Sequence, residues 1–252
     1  MQADPATTAE RVAALSPGQL ALLNAILDTF HRPIVAQRLT ESDVVGAVFL
    51  AAFGDVLKLH HTMSDDYLDK HRFEAAMERV LKALGKDASR PARNYPGHDI
   101  TVDGVPCSLK TQGDRGIKSD VLYISKFMEL GKGKWAAETD LPALRDRFLK
   151  HMDAYERIFQ LRYFKLGGVD SGSAEHFYEL VEIPKSLLQE AKSGICKMMH
   201  ESKQTPKPGY CTVKDRRGRV KFRLYFDGGT ERKLQIKDLR KDLCTVHATW
   251  KF

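Results

Sequence analysis

The side chains best suited to chemistry lie in one short stretch, Gly97-His98-Asp99-Ile100-Thr101-Val102-Asp103-Gly104-Val105-Pro106-Cys107-Ser108-Leu109-Lys110-Thr111-Gln112. Asp103-Gly104 is a dipeptide that readily supplies the positive φ angles of a tight hairpin, so two short strands should flank it. Side chains alternate along a strand, which puts Ser108 and Lys110 on one face and Leu109 on the other. An acid opening the first strand, Asp99, can then stand beside Lys110 on the second. Such a pair could hold a hydrated divalent cation next to an ammonium group.

The pattern resembles the PD-(D/E)xK nuclease superfamily, and within it the type II restriction endonucleases. In that superfamily an acid and, after a spacer, (Asp/Glu)-x-Lys lie on adjacent strands. Asp99 matches the first acid, and Ser108-Leu109-Lys110 stands where Glu-x-Lys is expected. Upstream, Phe73-Glu74 followed by Arg79-Val80-Leu81-Lys82-Ala83-Leu84-Gly85 is similar to the family's first helix, which often carries a glutamate toward the metal. Gln112, two residues beyond the lysine, also fits. The resemblance spans roughly residues 70–130. It implies an α/β fold with a mixed central sheet flanked by helices, and Mg2+-dependent hydrolysis of phosphodiesters in double-stranded DNA. The catalytic positions would be Asp99, Lys110, Glu74 and Ser108, with metal oxygens from Asp99, a strand carbonyl near Leu109, Glu74 and Asp120. Ser108 departs from the pattern because it has no carboxylate; Glu74, Asp120 or Glu129 would have to replace the missing oxygen. By analogy with such enzymes the chain would be a homodimer, functionally paired with a DNA methyltransferase.

The rest of the chain must position these groups. At 252 residues, with 42% hydrophobic and 29% charged residues, it can bury a sizeable core and is not expected to be disordered. The longest apolar run, Val44 to Phe53, is too short to span a bilayer. The N-terminus has no secretion signal, and the four cysteines (Cys107, Cys196, Cys211, Cys244) lack CxxC spacing, so reduced thiols and a cytoplasmic location are expected. No G-x-x-x-x-G-K-[ST] pattern is present, which weighs against an ATPase or kinase.

Three regions are expected: an N-terminal helical region (1–63), a nuclease core (64–191) and a β-rich basic part (192–252). Ser16-Pro17 should start one helix, ended by Pro33, and Thr40-Glu41-Ser42-Asp43 a second, centrally buried one whose His60-His61 pair forms a solvated end. A third helix, capped from Ser64-Asp65-Asp66, should carry Glu74 and stop at Gly85, with Lys70 four residues before Glu74 as a possible surface partner. Val121–Ile124 should be a buried strand followed by a helical turn at Lys126–Glu129. Residues 158–166 and 176–183 should form a central hairpin whose aromatics are core; Glu179 and Glu182 are unusual inside it.

Residues 192–252 carry 16 Lys+Arg against 6 Asp+Glu, whereas residues 1–191 carry 24 against 27. The basic excess is therefore regional, and a positive stripe of this kind suits the phosphate backbone. Arg216, Arg217 and Arg219 in a hairpin turn, Arg232 and Lys233 further on, and Lys132 and Lys134 in a Gly-Lys-Trp loop are the candidate DNA contacts. Two other functions stay open on sequence alone: a structure-specific repair or recombination nuclease, and a non-catalytic DNA-binding protein on a nuclease scaffold.

Overall fold

The computed structural model describes residues 5–39, 41–92, 97–114, 116–131, 135–166 and 175–252. In chain order these form α1 (Pro5–Ala13), α2 (Pro17–His31), β1 (Val35–Arg38), α3 (Ala47–Met63), α4 (Lys70–Ala83), β2 (Ala88–Ser89), β3 (Ile100–Val102), β4 (Val105–Gln112), β5 (Val121–Glu129), α5 (Leu141–His151), β6 (Arg157–Leu166), β7 (Glu175–Glu182), α6 (Lys185–Gln189), β8 (Ile195–Met198), β9 (Gly209–Lys214), β10 (Val220–Phe226), β11 (Lys233–Arg240) and β12 (Thr245–Lys251). The local signals are largely obeyed. Ser16 caps α2 in a full capping box with Gln19. Gly85 follows α4 with φ 77°, and the Asp103-Gly104 turn has φ 49° and 80°, as a tight hairpin requires.

Seven strands form a mixed sheet in the order β1-β12-β7-β6-β4-β3-β2, in which only β4 and β6 run parallel. The other five, β5-β11-β10-β9-β8, make an antiparallel sheet. The fold is thus the expected mixed α/β sheet flanked by helices, but its two ends interleave. β1 from the N-terminal region and β12 from the C-terminal region complete the core sheet, while β5 leaves it for the second one.

Strand alternation explains the layering. On one face of the seven-stranded sheet, Leu109, Phe159, Leu161, Tyr163, Tyr178, Leu180 and Trp250 pack against Phe49, Phe53 and Leu57 of α3 and Phe73, Met77 and Val80 of α4. Each large apolar side chain so buried stabilises the fold by about 1.5–3 kcal/mol. Gly54 lets α3 approach, since a Cβ there would meet Ile34 at 2.9 Å and Trp250 at 3.1 Å. On the other face Ile158 and Val181 join a second core formed by α5 and the five-stranded sheet. Between these apolar patches the same face carries Ser108, Lys110, Gln112, Gln160, Arg162 and Glu179, all buried. A polar seam therefore runs across the sheet, with Lys110 beside Gln160, Gln112 beside Arg162, and Arg162 beside Glu179.

Several expectations are corrected. The second helix starts at Ala47 after Gly46, because Asp43 is drawn into a bidentate pair with Arg157 (2.6 and 3.0 Å) instead of capping; Thr40 lies outside the described residues. That helix buries only one face and leaves Val48 exposed. His61 is not solvated: its ring stacks on His176 at 3.7 Å and its Nε2 bonds the Tyr178 hydroxyl at 2.7 Å. Burial and the neighbouring His176 push its pKa down to about 3. The third helix is capped by Asp69 rather than from residues 64–66. Residues 126–129 continue β5 as strand because they pair with β11. Trp135 is core, its Nε1 donating to the Lys207 carbonyl at 2.6 Å, and not a nucleic-acid contact. Two cysteines are not free thiols: Cys196 and Cys211 stand directly opposite on β8 and β9 and are disulfide-bonded, while Cys107 and Cys244 are free. Among the described residues no helix is long and apolar enough to cross a membrane.

Candidate active site

The hairpin β3–β4 brings Asp99 and Lys110 together because β3 is short. Asp99 N–H still donates to the Cys107 carbonyl at 2.9 Å, but beyond that point the Asp99 carboxylate takes over the edge of β4. Its Oδ2 accepts from Leu109 N–H at 2.6 Å and from the Ser108 hydroxyl at 3.0 Å, and Lys110 Nζ lies 3.8 Å away. Its Oδ1 accepts from Lys70 Nζ at 2.7 Å. Lys70 opens α4, one turn before Glu74, and the same Nζ is 3.3 Å from Glu74 Oε1. The i,i+4 pairing read from sequence is thus real, and it also ties Glu74 to Asp99 through a shared cation.

The electrostatics follow from burial against charge. Burial alone would raise the Asp99 pKa, but Lys110, Lys70 and the Leu109 N–H outweigh it and hold the carboxyl below its usual value. Lys110 lies between β4, β6 and Phe127, whose ring is 5.3 Å from Nζ. Burial pushes its pKa down to about 8, with Asp99 opposing the shift. Burial also acts to lower Lys70, yet Asp99 and Glu74 leave it raised.

Sequence reasoning missed three neighbours. His151, at the end of α5, has its pKa lowered by burial and by the charge of Lys110. Tyr155 is fully buried, its pKa raised by burial and by Asp99, and its hydroxyl has no hydrogen-bond partner. Gln160 donates to the Tyr123 carbonyl at 2.8 Å while its Oε1 is unpartnered. These come from segments 40–60 residues downstream: the docking of α5 and the turn after it brings His151 and Tyr155, and the parallel β4–β6 register sets Gln160 beside Lys110.

The other candidates are placed elsewhere. Of the three acids proposed to replace a carboxylate at position 108, Glu74 alone shares a partner with Asp99 among the described residues. Asp120 sits at the start of β5, its carbonyl accepting from Lys241 N–H at 2.9 Å. Glu129 ends the same strand and pairs with Lys126 at 2.9 Å. Arg216, Arg217 and Arg219 form the turn between β9 and β10, where Asp215 engages Arg219 Nε at 2.8 Å. Arg232 and Lys233 lie at the opposite end of that sheet, with Lys233 on Glu231 at 2.9 Å. A seven-residue strand separates the two groups by about 20 Å, so they do not make one stripe. Lys132 and Lys134 lie outside the described residues. Between the two groups, Tyr210, Tyr225, Arg223 and Lys237 share a face of the five-stranded sheet, with Lys237 Nζ 3.7 Å from the Tyr225 ring. No local motif in the sequence marks this face; the strand register creates it.

A seven-stranded mixed sheet with helices against one face, and an acid and a lysine on adjacent strands of it, is consistent with the restriction-endonuclease-like class of α/β proteins. The family model described as SmaI, type II site-specific deoxyribonuclease, matches residues 9–252. The type II restriction enzyme SmaI of Serratia marcescens is 47% identical over 214 residues, covering 84% of this chain and 83% of that protein. No solved structure matches the chain. The chain belongs to the SmaI family of type II site-specific deoxyribonucleases, and it is a DNA-hydrolysing restriction endonuclease.

Proposed function

We propose that this restriction endonuclease hydrolyses double-stranded DNA with Mg2+ at the Asp99–Lys110 edge of β4, in the manner of PD-(D/E)xK nucleases. The observation that carries the reading is the convergence of Asp99, Lys110 and Glu74 from three separate elements on one half-buried corner of the sheet. Among the described residues no three His, Cys, Asp or Glu side chains form a metal cluster. Magnesium needs fewer, since it ordinarily takes one or two carboxylates and fills the rest with waters and substrate phosphate. Asp99 and Glu74 already converge on a positive group, the Lys70 ammonium, so the donor set fits such an ion. When bound, magnesium supplies charge to the scissile phosphate and makes water more acidic.

The chain's own residues do the remainder. Leu109 N–H and the Ser108 hydroxyl fix the Asp99 carboxylate, which makes Ser108 a positioning residue in the place of a ligand acid. A strand carbonyl near Leu109 completes the proposed ligand set; Asp120, held at the start of β5 by its contact with Lys241, is left out of it. Lys110, its side chain only 8% exposed, faces the attacked phosphorus from a site where water screens little. Its ammonium stabilises the negative charge that grows on the phosphoryl oxygens as water attacks and the bridging ester oxygen leaves. Arg216, Arg217, Arg219, Arg232 and Lys233 of residues 192–252 would add phosphate contacts, and Lys132 and Lys134 would do likewise. Cutting both strands of a two-fold site is simplest for a homodimer. We place the enzyme in the cytoplasm, beside a methyltransferase that protects the host's own sites.

Digestion of a fully sequenced, unmethylated DNA tests this reading. The wild type should give discrete bands with Mg2+ and none with chelator, and Asp99→Asn and Lys110→Met should give none while still retarding DNA on a gel. Wild-type banding by either variant would exclude the site, and banding in chelator would exclude the metal.

A further inference from the structure

Lys70 occupies a position that no motif accounts for. Its Nζ stands between the two carboxylates, 2.7 Å from Asp99 Oδ1 and 3.3 Å from Glu74 Oε1. Lys110, the lysine that the motif supplies, lies further from Asp99, at 3.8 Å, and contacts the other oxygen. The two ammonium groups also differ in freedom. Lys110 is sealed in the seam with 8% of its side chain exposed, whereas Lys70 begins a helix with 41% exposed and a long stem that can turn outward.

We infer that Lys70 is an internal stand-in for the divalent cation: in the DNA-free enzyme its ammonium holds the Asp99–Glu74 position, and a metal must displace it to bind. This rests on the metal site proposed above. The charge logic is direct. Two carboxylates, 15% and 14% exposed, face each other across a gap that would be repulsive if empty. A monovalent ammonium relieves that repulsion and keeps the carboxylates converged. A divalent ion and the ammonium cannot share the place, because like charges at contact distance repel. Binding of one therefore excludes the other, and the affinity for metal is set by how firmly Lys70 is held. Lys70 is a positioning residue that restrains metal uptake until it withdraws, and its outward swing carries a positive charge toward solvent, where a phosphate backbone would receive it.

The test is calorimetric titration of DNA-free protein with Mn2+ alone, at fixed ionic strength, for the wild type, Lys70→Met, Lys70→Arg and Asp99→Asn. Lys70→Met should bind Mn2+ at least about tenfold more tightly than wild type, the size expected when one competing ion pair is removed. Lys70→Arg, which keeps the competing charge, should stay near wild type; Asp99→Asn should lose the site. A merely structural lysine would give the reverse, since its loss could only loosen the carboxylates and weaken binding. If Lys70→Met binds Mn2+ equally or more weakly while Asp99→Asn abolishes binding, the stand-in role is overturned and the metal site survives. If Mn2+ binding is absent from the wild type and Lys70→Met alike, or indifferent to Asp99→Asn, both the metal site and the inference fall.

Discussion

Two buried cations sit on the same polar seam, only two residues apart in strand register, and they are treated in opposite ways. Arg162 is saturated: its five donors reach Glu179, the Gln112 side chain (3.0 Å) and the carbonyls of Lys118, Ser119 (3.4 Å) and Val121 (2.9 Å), and Lys241 completes Glu179 at 2.9 Å. It ties the 118–121 loop and the start of β5 onto the sheet. Among the described residues the charged partner of Lys110 is Asp99 at 3.8 Å, beyond hydrogen-bond distance, with the Phe127 ring at 5.3 Å and unpartnered polar atoms on nearby Tyr155 and Gln160. A buried charge with all its donors satisfied is architecture, whereas one left short of partners awaits a ligand. The unusual Glu179 thus belongs to the scaffold and not to a second catalytic acid pair.

Breaking each cation separately should expose this difference. Lys110→Met should lower the cleavage rate by at least about a thousandfold, the scale of losing one preorganised charge at a transition state. The same change should leave the DNA-free protein equally stable or more stable at pH 7, by roughly 1–3 kcal/mol, because it removes an ammonium that burial disfavours. Denaturant unfolding checks this, and a loss of more than about 2 kcal/mol would make Lys110 a structural residue. Arg162→Met should behave in the opposite sense. Leaving Glu179 buried with Lys241 alone should cost about 3–5 kcal/mol of stability, while cleavage per folded molecule at low temperature stays within about tenfold of wild type. Stability unchanged in Arg162→Met would dissolve the distinction.

How much of this could be read beforehand depends on how local each feature is. The Asp103-Gly104 hairpin, the Ser16 cap, the Gly85 stop and the 158–166/176–183 pairing are set by neighbouring residues, and all are found in the structure. Asp99 and Lys110 were legible for the same reason, eleven residues and one tight turn apart. What was not legible is long-range. β1 was hidden in a linker because four residues, Val35–Arg38, become a strand only by pairing with β12 more than 200 positions later. His61 read as solvent-exposed until His176 and Tyr178 met it. The roles of Lys70, His151 and Tyr155 depend on how α4 and α5 dock, which no local periodicity encodes. The basic C-terminal excess does not form one stripe because count does not specify place: its groups lie at opposite ends of the sheet, and some of its charges are matched by acids, as Lys221 is by Glu190 (2.6 Å) and Arg223 by Asp238 (2.9 Å).

A smaller effect sharpens the same contrast at the far side of the sheet. Glu182 bonds Arg157 through both oxygens (2.8 Å each) and His247 at 2.8 Å. Burial would raise its pKa, but Arg157 and His247 outweigh burial and hold it down to about 2. A carboxyl depressed in the folded state adds stability that is complete above its unfolded value, near 4.5, and is lost as pH falls toward 2. Glu182→Gln should therefore be less stable than wild type at pH 6 by about 1–3 kcal/mol, with the gap closing between pH 4.5 and 2. A gap that stays constant with pH would assign the loss to packing alone.

The smallest effect concerns the β9–β10 turn, where the arginines are not equivalent. Arg219 is held by Asp215 through Nε at 2.8 Å, and Asp215 also accepts from Arg217 N–H and Arg219 N–H at 2.9 Å each. Asp215 thus organises the turn and offsets one of its charges, and the exposed Arg216 and Arg217 side chains are the ones proposed to meet phosphate. Each phosphate contact releases counterion and steepens the fall of affinity with salt by about one unit on a log–log plot. Arg216→Ala with Arg217→Ala should reduce that slope by about two, uniformly for cognate and unrelated duplexes, while Arg219→Ala alone should change it by well under one. Equal slopes for the double variant and wild type would remove this turn from the DNA interface. The Tyr210–Tyr225–Lys237 face, midway between the two basic ends, would then be the next surface to test.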